Sequence, residues 1–510
     1  MRVRSFISGV IIILIVMSFL GCTEKINEPE NEITGIVLTS PEEGVLLEGI
    51  VTLKAEVMER SEVSQVEFFV DGDSLAVDME SPYEVEWNTE TAFNQTHSLV
   101  CRGILENSGE VLADTVIVAV RNLLFTANYI DYFQEEDEGY IYVSDHHGNI
   151  LGEAGWTGNG TVEVEHSPVT GLIPDRFTVT RVHNYSQLNT SFAIPKGSVE
   201  TYEMEEPLSE YHSVELNFLN IPENEGYSLA NLWHASATDG ILEGSRLFDF
   251  RDEPSDLLIK LNTVEFGEKY KWVYNVTEDS CEIDLAEMSY SDSSIIELDY
   301  GPYEFRYGLI GYPTPGSHKT GIGYYLDGSL GFDSGTSSFT MRYPSDTFTD
   351  YRTRINFYDV DDHNTGWSET AYGAIPETFI MYDVEYDLIS NEPDNFQVQV
   401  TGDCDCVAIQ WLSPERHIYW DVTGPPDYID FSLPAPPATL LENMPELDVG
   451  LMEMYFLTLI DYSPCDSYDE LLDLRHNSDE YFYDAIDGSR SRKIHFEIGS
   501  EVDGGGEFGD

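Results

Sequence analysis

Apolar and polar residues alternate with a period of two through most of this chain. Val51, Leu53, Ala55 and Val57 alternate with Thr52, Lys54 and Glu56, and Tyr83, Val85 and Trp87 with Glu84 and Glu86. The pattern returns at Val116, Val118 and Val120, at Val162 and Val164, and at Val214, Leu216 and Phe218. It continues through Ile380, Tyr382, Val384, Tyr386 and Leu388, then Phe396, Val398 and Val400, and ends with Ile494, Phe496 and Ile498. Short period-two runs between Gly, Pro and Asn turns predict strands with one buried face. One segment departs from this. Ser467-Tyr468-Asp469-Glu470 is a capping box followed by Leu471, Leu472 and Leu474, which predicts a short helix over 467–476.

Residues 34–122 carry the clearest set of motifs. Ser40-Pro41-Glu42-Glu43-Gly44, Val66-Glu67-Phe68-Phe69-Val70-Asp71-Gly72, Ser81-Pro82-Tyr83 with Trp87-Asn88-Thr89, and Thr96-His97-Ser98-Leu99 follow one another in order. Together they resemble a bacterial immunoglobulin-like domain. The resemblance implies a seven-stranded sandwich that serves as a spacer or accessory module and brings no catalytic residues. It also implies that Cys101 faces the core, and Trp87 reads as a core aromatic.

The expected fold class is therefore all-β. An immunoglobulin-like sandwich precedes a multi-unit antiparallel β-sandwich region, with one short helix near 467–476. Composition shifts and turn signals place cuts that give units of 123–205, 206–300, 301–390 and 391–498, each of ordinary domain size. One larger interlocked β structure is the competing arrangement. The last residues, 499–510, are Gly- and acid-rich and read as a disordered tail.

The amino terminus sets an address. Arg2 and Arg4 precede an apolar run over 6–20, which ends in Phe19-Leu20-Gly21-Cys22. A basic start, an apolar stretch of this length and a small-residue junction have the layout of an export signal. The Gly-Cys junction resembles a bacterial lipoprotein signal. That resemblance implies cleavage after residue 21, a lipid on Cys22 and palmitate-type anchoring. Thr23 follows the anchor, and by the sorting rule this favours the outer membrane of a Gram-negative host. Residues 22–33 are polar and read as a tether.

Charge narrows the partners. The 510 residues include 94 acidic and only 25 basic side chains, a formal net charge of −69. Such a surface repels phosphate backbones, so nucleic acid is a poor partner. Five cysteines remain beyond Cys22. Cys281, Cys404, Cys406 and Cys465 are the disulfide candidates, with a connectivity that the sequence leaves open.

Candidate chemistry is sparse. Asp359, Asp361 and Asp362 lie in the densest cluster of oxygen ligands, 359–366, and make calcium the one cofactor the sequence raises. The helix–loop–helix calcium register fails there, because its fifth and sixth positions are His363 and Asn364. A less regular site or a solvated acidic loop remains. His146-His147 sit at a predicted hairpin tip, where adjacent strand residues point to opposite faces, so a shared metal would need an irregular turn. Gly72-Asp73-Ser74-Leu75 and Asp473-Leu474-Arg475-His476 spell two blocks of an esterase family, but that chemistry needs a strand–helix alternation this chain lacks. Trp156, Trp233, Trp272, Trp367, Trp411 and Trp420 are mostly core candidates, with Trp367 the one expected nearest the surface and hence the candidate ligand contact. The reading is a lipid-anchored, exported envelope protein with a non-catalytic binding or structural role, its partner a glycan or an envelope protein. A carbohydrate-active or other hydrolase and an accessory subunit of an envelope assembly are the alternatives.

Overall fold

A computed structural model describes residues 35–497 with interruptions, the longest being 204–211, 314–322 and 478–489. Cys22, the expected lipid attachment point, and the tail 499–510 lie outside the described residues. The chain divides into two compact units. The first is drawn from residues up to Val45, Val51–Trp87 and Thr96–Val118, and the second from Leu46–Ile50, Asn88–Gln95 and Ala119–Asp510.

In the first unit, strands Ile36–Ser40, Ile50–Val57 and Tyr83–Asn88 form one sheet, and Val111–Val120, Thr96–Leu105, Val63–Val70 and Asp73–Asp78 belong to another. The alternating residues do what their period requires: Leu53, Ala55, Val66, Phe68, Leu99, Cys101 and Val118 are buried. Trp87 is a core residue at 4% exposure. Cys101 is fully buried opposite Phe68, and burial pushes its thiol up to about 11. The Asp71-Gly72 turn has positive φ at both residues, 53° and 92°. Asp-Gly tolerates this left-handed pair, whose twist matches the hairpin it closes.

The second unit holds four hydrophobic cores. The first is built mainly from 123–203, where Leu124, Phe125, Val143, Val164 and Val179 meet. Residues 212–290 form a sandwich around Val214, Leu216, Phe250, Leu257 and Ile259. Residues 292–379 supply most of the third, including Phe305, Leu309, Ile355 and Phe379. The fourth centres on Phe396, Trp411, Trp420, Leu457 and Leu459. Strand pairing crosses between these cores.

Thirteen strands form a single sheet that takes members from 123–205, 301–390 and 391–498. Gln187–Pro195 pairs in parallel with Tyr419–Gly424, and Thr365–Gly373 pairs antiparallel with Arg490–Glu497. The cut expected near 301 parts Asp292–Leu298 from its partner Ser338–Tyr343, and the cut near 391 parts Thr365–Gly373 from Arg490–Glu497. The region is mixed as well: parallel pairs also join Val199–Glu203 to Leu123–Ile130 and His212–Leu219 to Ser280–Asp284.

Fusion buries the central strands on both faces. In Arg176–His183, Phe177 and Val179 point into the first core while Val182 points into the fourth. Its polar members must then find partners inside. Thr180 and Thr190 share a hydroxyl bond of 2.7 Å, and the Trp420 indole donates to Thr190 Oγ1 at 2.8 Å. Arg181, 8% exposed, pairs with buried Glu200 at 2.5 Å, and the Tyr202 hydroxyl donates to the same carboxylate.

The helix Tyr468–Asn477 appears where the capping box places it. Ser467 Oγ accepts from Glu470 N at 3.3 Å, and Glu470 reaches back to Asp466 N at 2.9 Å. Tyr468, Leu471 and Leu472 close the first core, and Arg176 grips Asp469 with two parallel bonds of 2.7 and 2.8 Å. A second helix, Ala438–Asn443, was not expected; Pro436-Pro437 sets its entrance, and Leu440 is its buried anchor.

Candidate functional site

Strand Gly267–Val276 supplies the site's main wall. Period two puts Tyr270, Trp272 and Tyr274 on one face, which meets the third core rather than the sandwich to which the strand belongs. Tyr270 is buried, Trp272 is half-buried and Tyr274 is 62% exposed, so the aromatic row runs from core to solvent. A turn between strands Ser338–Tyr343 and Asp350–Asp359 supplies the other wall through Asp346 and Thr347. With Lys271, Glu287 and Ser289 these residues line an open groove of about 490 Å³.

Hydrogen bonds fix the walls against each other. The Trp272 indole donates to Thr347 Oγ1 at 3.2 Å, and the Tyr270 hydroxyl donates to Asp346 Oδ1 at 2.8 Å. Trp272 packs edge-on against Tyr324, with centroids 4.9 Å apart and 84° between planes. Tyr274 lies nearly parallel to Trp272, 6.1 Å away at 16°. Lys271 Nζ donates to the Glu287 carbonyl at 3.3 Å. Burial and the Asp346 carboxylate push the Tyr270 hydroxyl up to about 12, so it stays a donor. Bonds from Tyr270 and Thr347 hold Asp346 below the usual carboxylate range, so it stays an ionised acceptor.

Both groups therefore keep fixed roles in the bond that joins the two walls. A general acid near neutrality needs a carboxyl pushed up. Among the described residues, the carboxyls that burial pushes up are Asp327, to about 6, Glu369, to about 7, and Asp405 and Asp421. None of the four lines the groove.

Apart from Trp272, the described residues singled out from sequence fall elsewhere. Asp359 ends a strand, Asp361 and Asp362 lie outside the described residues, and among the described residues no acidic or His/Cys group is gathered as a metal site. Trp367 is not on an open surface. Its strand is paired on both sides, with Phe357 and Ile494 as its neighbours, and it is half-buried against the third and fourth cores. Trp156, Trp411 and Trp420 are core residues, and Trp233 lies outside the described residues. Cys281, Cys404, Cys406 and Cys465 are present as thiols. Cys281 packs on the core of 212–290, while Cys406 and Cys465 share the first core and Cys404 borders the fourth. His146 and His147 sit on a tight turn in which Asp145 accepts from His147 N and Asn149 N, each at 2.9 Å.

The comparisons with known proteins bear on the fold of the amino-terminal part. Residues 35–100 match the family described as bacterial Ig domain and form such a domain. No curated protein matches the chain. Among solved structures, the fibronectin(III)-like modules of Clostridium thermocellum CbhA share 23% identity, over 17% of this chain and 93% of theirs, with a TM-score of 0.16. An endo-beta-1,4-mannanase from Thermotoga petrophila is 14% identical over 19% of this chain and 21% of its own, at a TM-score of 0.17. A tetra-tandem repeat from the extending region of a large adhesion protein covers 68% of this chain and 99% of its own at 9% identity and 0.15. The chain is an all-β protein with a bacterial Ig domain at its start.

Proposed function

We propose that the chain is an exported, lipid-anchored protein of the bacterial cell envelope whose β units serve a non-catalytic binding role. The anchor is the thiol of Cys22, and Thr23 after it directs the protein to an outer membrane. The observation that carries the binding role is the groove. It joins an exposed aromatic face to hydrogen-bonding groups already fixed in place, which is the combination that orients a ligand. Glu287 and Asp346 both line it, which favours a hydrolase as the second reading. A paired-carboxylate hydrolase needs one of the two as proton donor, and Asp346, held below the usual carboxylate range, is not that donor.

Metabolic labelling with a palmitate analogue tests the anchor. The intact chain should take up label and sediment with outer membranes, and Cys22→Ala should do neither. Unlabelled, soluble wild-type chain would refute the anchor. Incubation with envelope extracts tests the binding role: depletion of the protein without released product supports it, and released product assigns the hydrolase.

A further inference from the structure

We propose that the groove between Gly267–Val276 and the 344–349 turn binds a neutral polysaccharide, with a sugar ring laid on Tyr274 beside Trp272. The proposal rests on the binding role above and names its ligand class. A pyranose has an apolar face of C–H groups and a rim of hydroxyls, so it needs an exposed ring surrounded by both donors and acceptors. Tyr274 supplies the ring, at 62% exposure. Trp272 beside it cannot swing away, because Thr347 holds its indole nitrogen and Tyr324 meets it edge-on. The rim is matched on the same walls. The hydrogen bonds from Tyr270 and Thr347 both fall on Asp346 Oδ1, and Oδ2 carries neither of them. Lys271 spends one of its donors on the Glu287 carbonyl, and Ser289 adds an exposed hydroxyl.

Other ligand classes fit less well. Nucleic acids, anionic lipid headgroups and uronate polymers would approach a chain of net charge −69 and a groove edged by the carboxylates of Asp346 and Glu287. An apolar peptide would need an apolar floor, whereas polar side chains flank the two rings. A small metabolite would need enclosure, since such pockets bury most of their ligand. An open groove instead admits the interior of a long chain.

The test uses the full-length protein in mild detergent and four soluble probes: hydroxyethyl cellulose, glucomannan, galactomannan and, as the anionic contrast, polygalacturonate. Retardation in affinity gels and titration calorimetry give the dissociation constants. At least one neutral probe should bind and polygalacturonate should not. Tyr274→Ala should weaken binding about tenfold, the scale of one lost aromatic stack, while Tyr274→Phe keeps it. Tyr290→Ala removes an exposed aromatic that lies opposite Lys269, on the other face of the strand pair, and should change nothing. Equal binding of polygalacturonate, or no binding of any neutral probe, overturns the ligand class. In that case Tyr274-dependent capture of another envelope component would leave the binding role standing. Neutral-polysaccharide binding indifferent to Tyr274→Ala overturns the groove as its site.

Discussion

Glu369 is placed where a carboxylate is poorly compensated, and replacing it with Gln should stabilise the protein above neutral pH. It sits 4% exposed in the central strand Thr365–Gly373, opposite Arg492 on the next strand. Arg492 turns the other way and gives Nε and Nη2 to Asp461 Oδ2 at 2.7 and 2.6 Å. Glu369 is left with Arg490, whose Nη1 comes within 3.3 Å of Oε1 without hydrogen-bond geometry. Burial therefore dominates, and the carboxyl is pushed from 4.5 to about 7. At about 1.4 kcal/mol per unit, this corresponds to roughly 3 kcal/mol, an upper bound on what ionisation costs the fold. Below pH 4.5 the group is protonated in folded and unfolded chains alike, and it contributes no penalty. Between 4.5 and 7 the folded chain keeps a proton that the unfolded chain has released, so stability falls as pH rises and the full penalty stands above 7. Glu369→Gln removes the titration. It should be near neutral at pH 4 and stabilising by up to about 3 kcal/mol at pH 8. The chain has several cores, so global unfolding is not one transition. Hydrogen exchange of peptides covering 365–373 and 490–497 reads the local free energy instead. A loss of protection at pH 8 would refute the reasoning and make the Arg490 pair a net stabiliser.

Three other outcomes follow from the same physics. Arg181→Met leaves Glu200 buried without its guanidinium and should cost about 3–5 kcal/mol of local stability, with most of it recovered in the double variant Arg181→Met/Glu200→Gln; exchange of peptides spanning 176–203 measures both. Thr190→Val removes the acceptor of the buried Trp420 indole and should cost about 1–3 kcal/mol, read as lost protection in 187–195 and 419–424 but not in 212–219. Screening should offset the self-repulsion of a −69 chain. The onset of thermal unfolding is therefore expected to rise between 20 and 500 mM sodium chloride, and a flat or falling curve would count against it.

Much of the fold was legible because most strands bury one face. Val214, Leu216 and Phe218 alternate in sequence and are buried in the structure, at 0%, 0% and 6% exposure. The strands that escaped are those that fusion buries twice. Thr178, Thr180, Thr190 and Ser191 carry no apolar signal, yet all four are buried. Thr190 and Ser191 pair with a strand more than two hundred residues away, and no local pattern encodes that pairing. Trp367 misled for a related reason. The acidic turn before it was a sound surface signal, but the strand it opens is central rather than peripheral. The groove was half legible. Tyr270, Trp272 and Tyr274 stand two apart in the sequence, but Asp346 and Thr347, the residues that make that row a site, lie 76 and 75 positions from their hydrogen-bonding partners.

Where the groove lies follows from how the sheets end. The thirteen-stranded sheet offers little face for a ligand around Arg176–His183 and Gln187–Pro195, since the first and fourth cores cover both sides. Joining units strand to strand also removes edges that other proteins guard with lysine, a residue this acidic chain uses sparingly. Gly267–Val276 is different. Its outer neighbour Ser289–Tyr290 is two residues long and pairs only with Lys269 and Tyr270. Beyond Tyr270 that edge of the strand has no partner among the described strands, and there Trp272 and Tyr274 emerge. Lys269 and Lys271 lie on this strand, and an aromatic row beside an open edge invites aggregation unless charge of this kind blunts it. Here Asp346 and Glu287 put charge beside the rings, which repels a second acidic copy while leaving the rings open to an uncharged chain. The net charge of −69, which on sequence grounds is expected to disfavour nucleic acid, is thus also what favours the neutral ligand proposed for the groove.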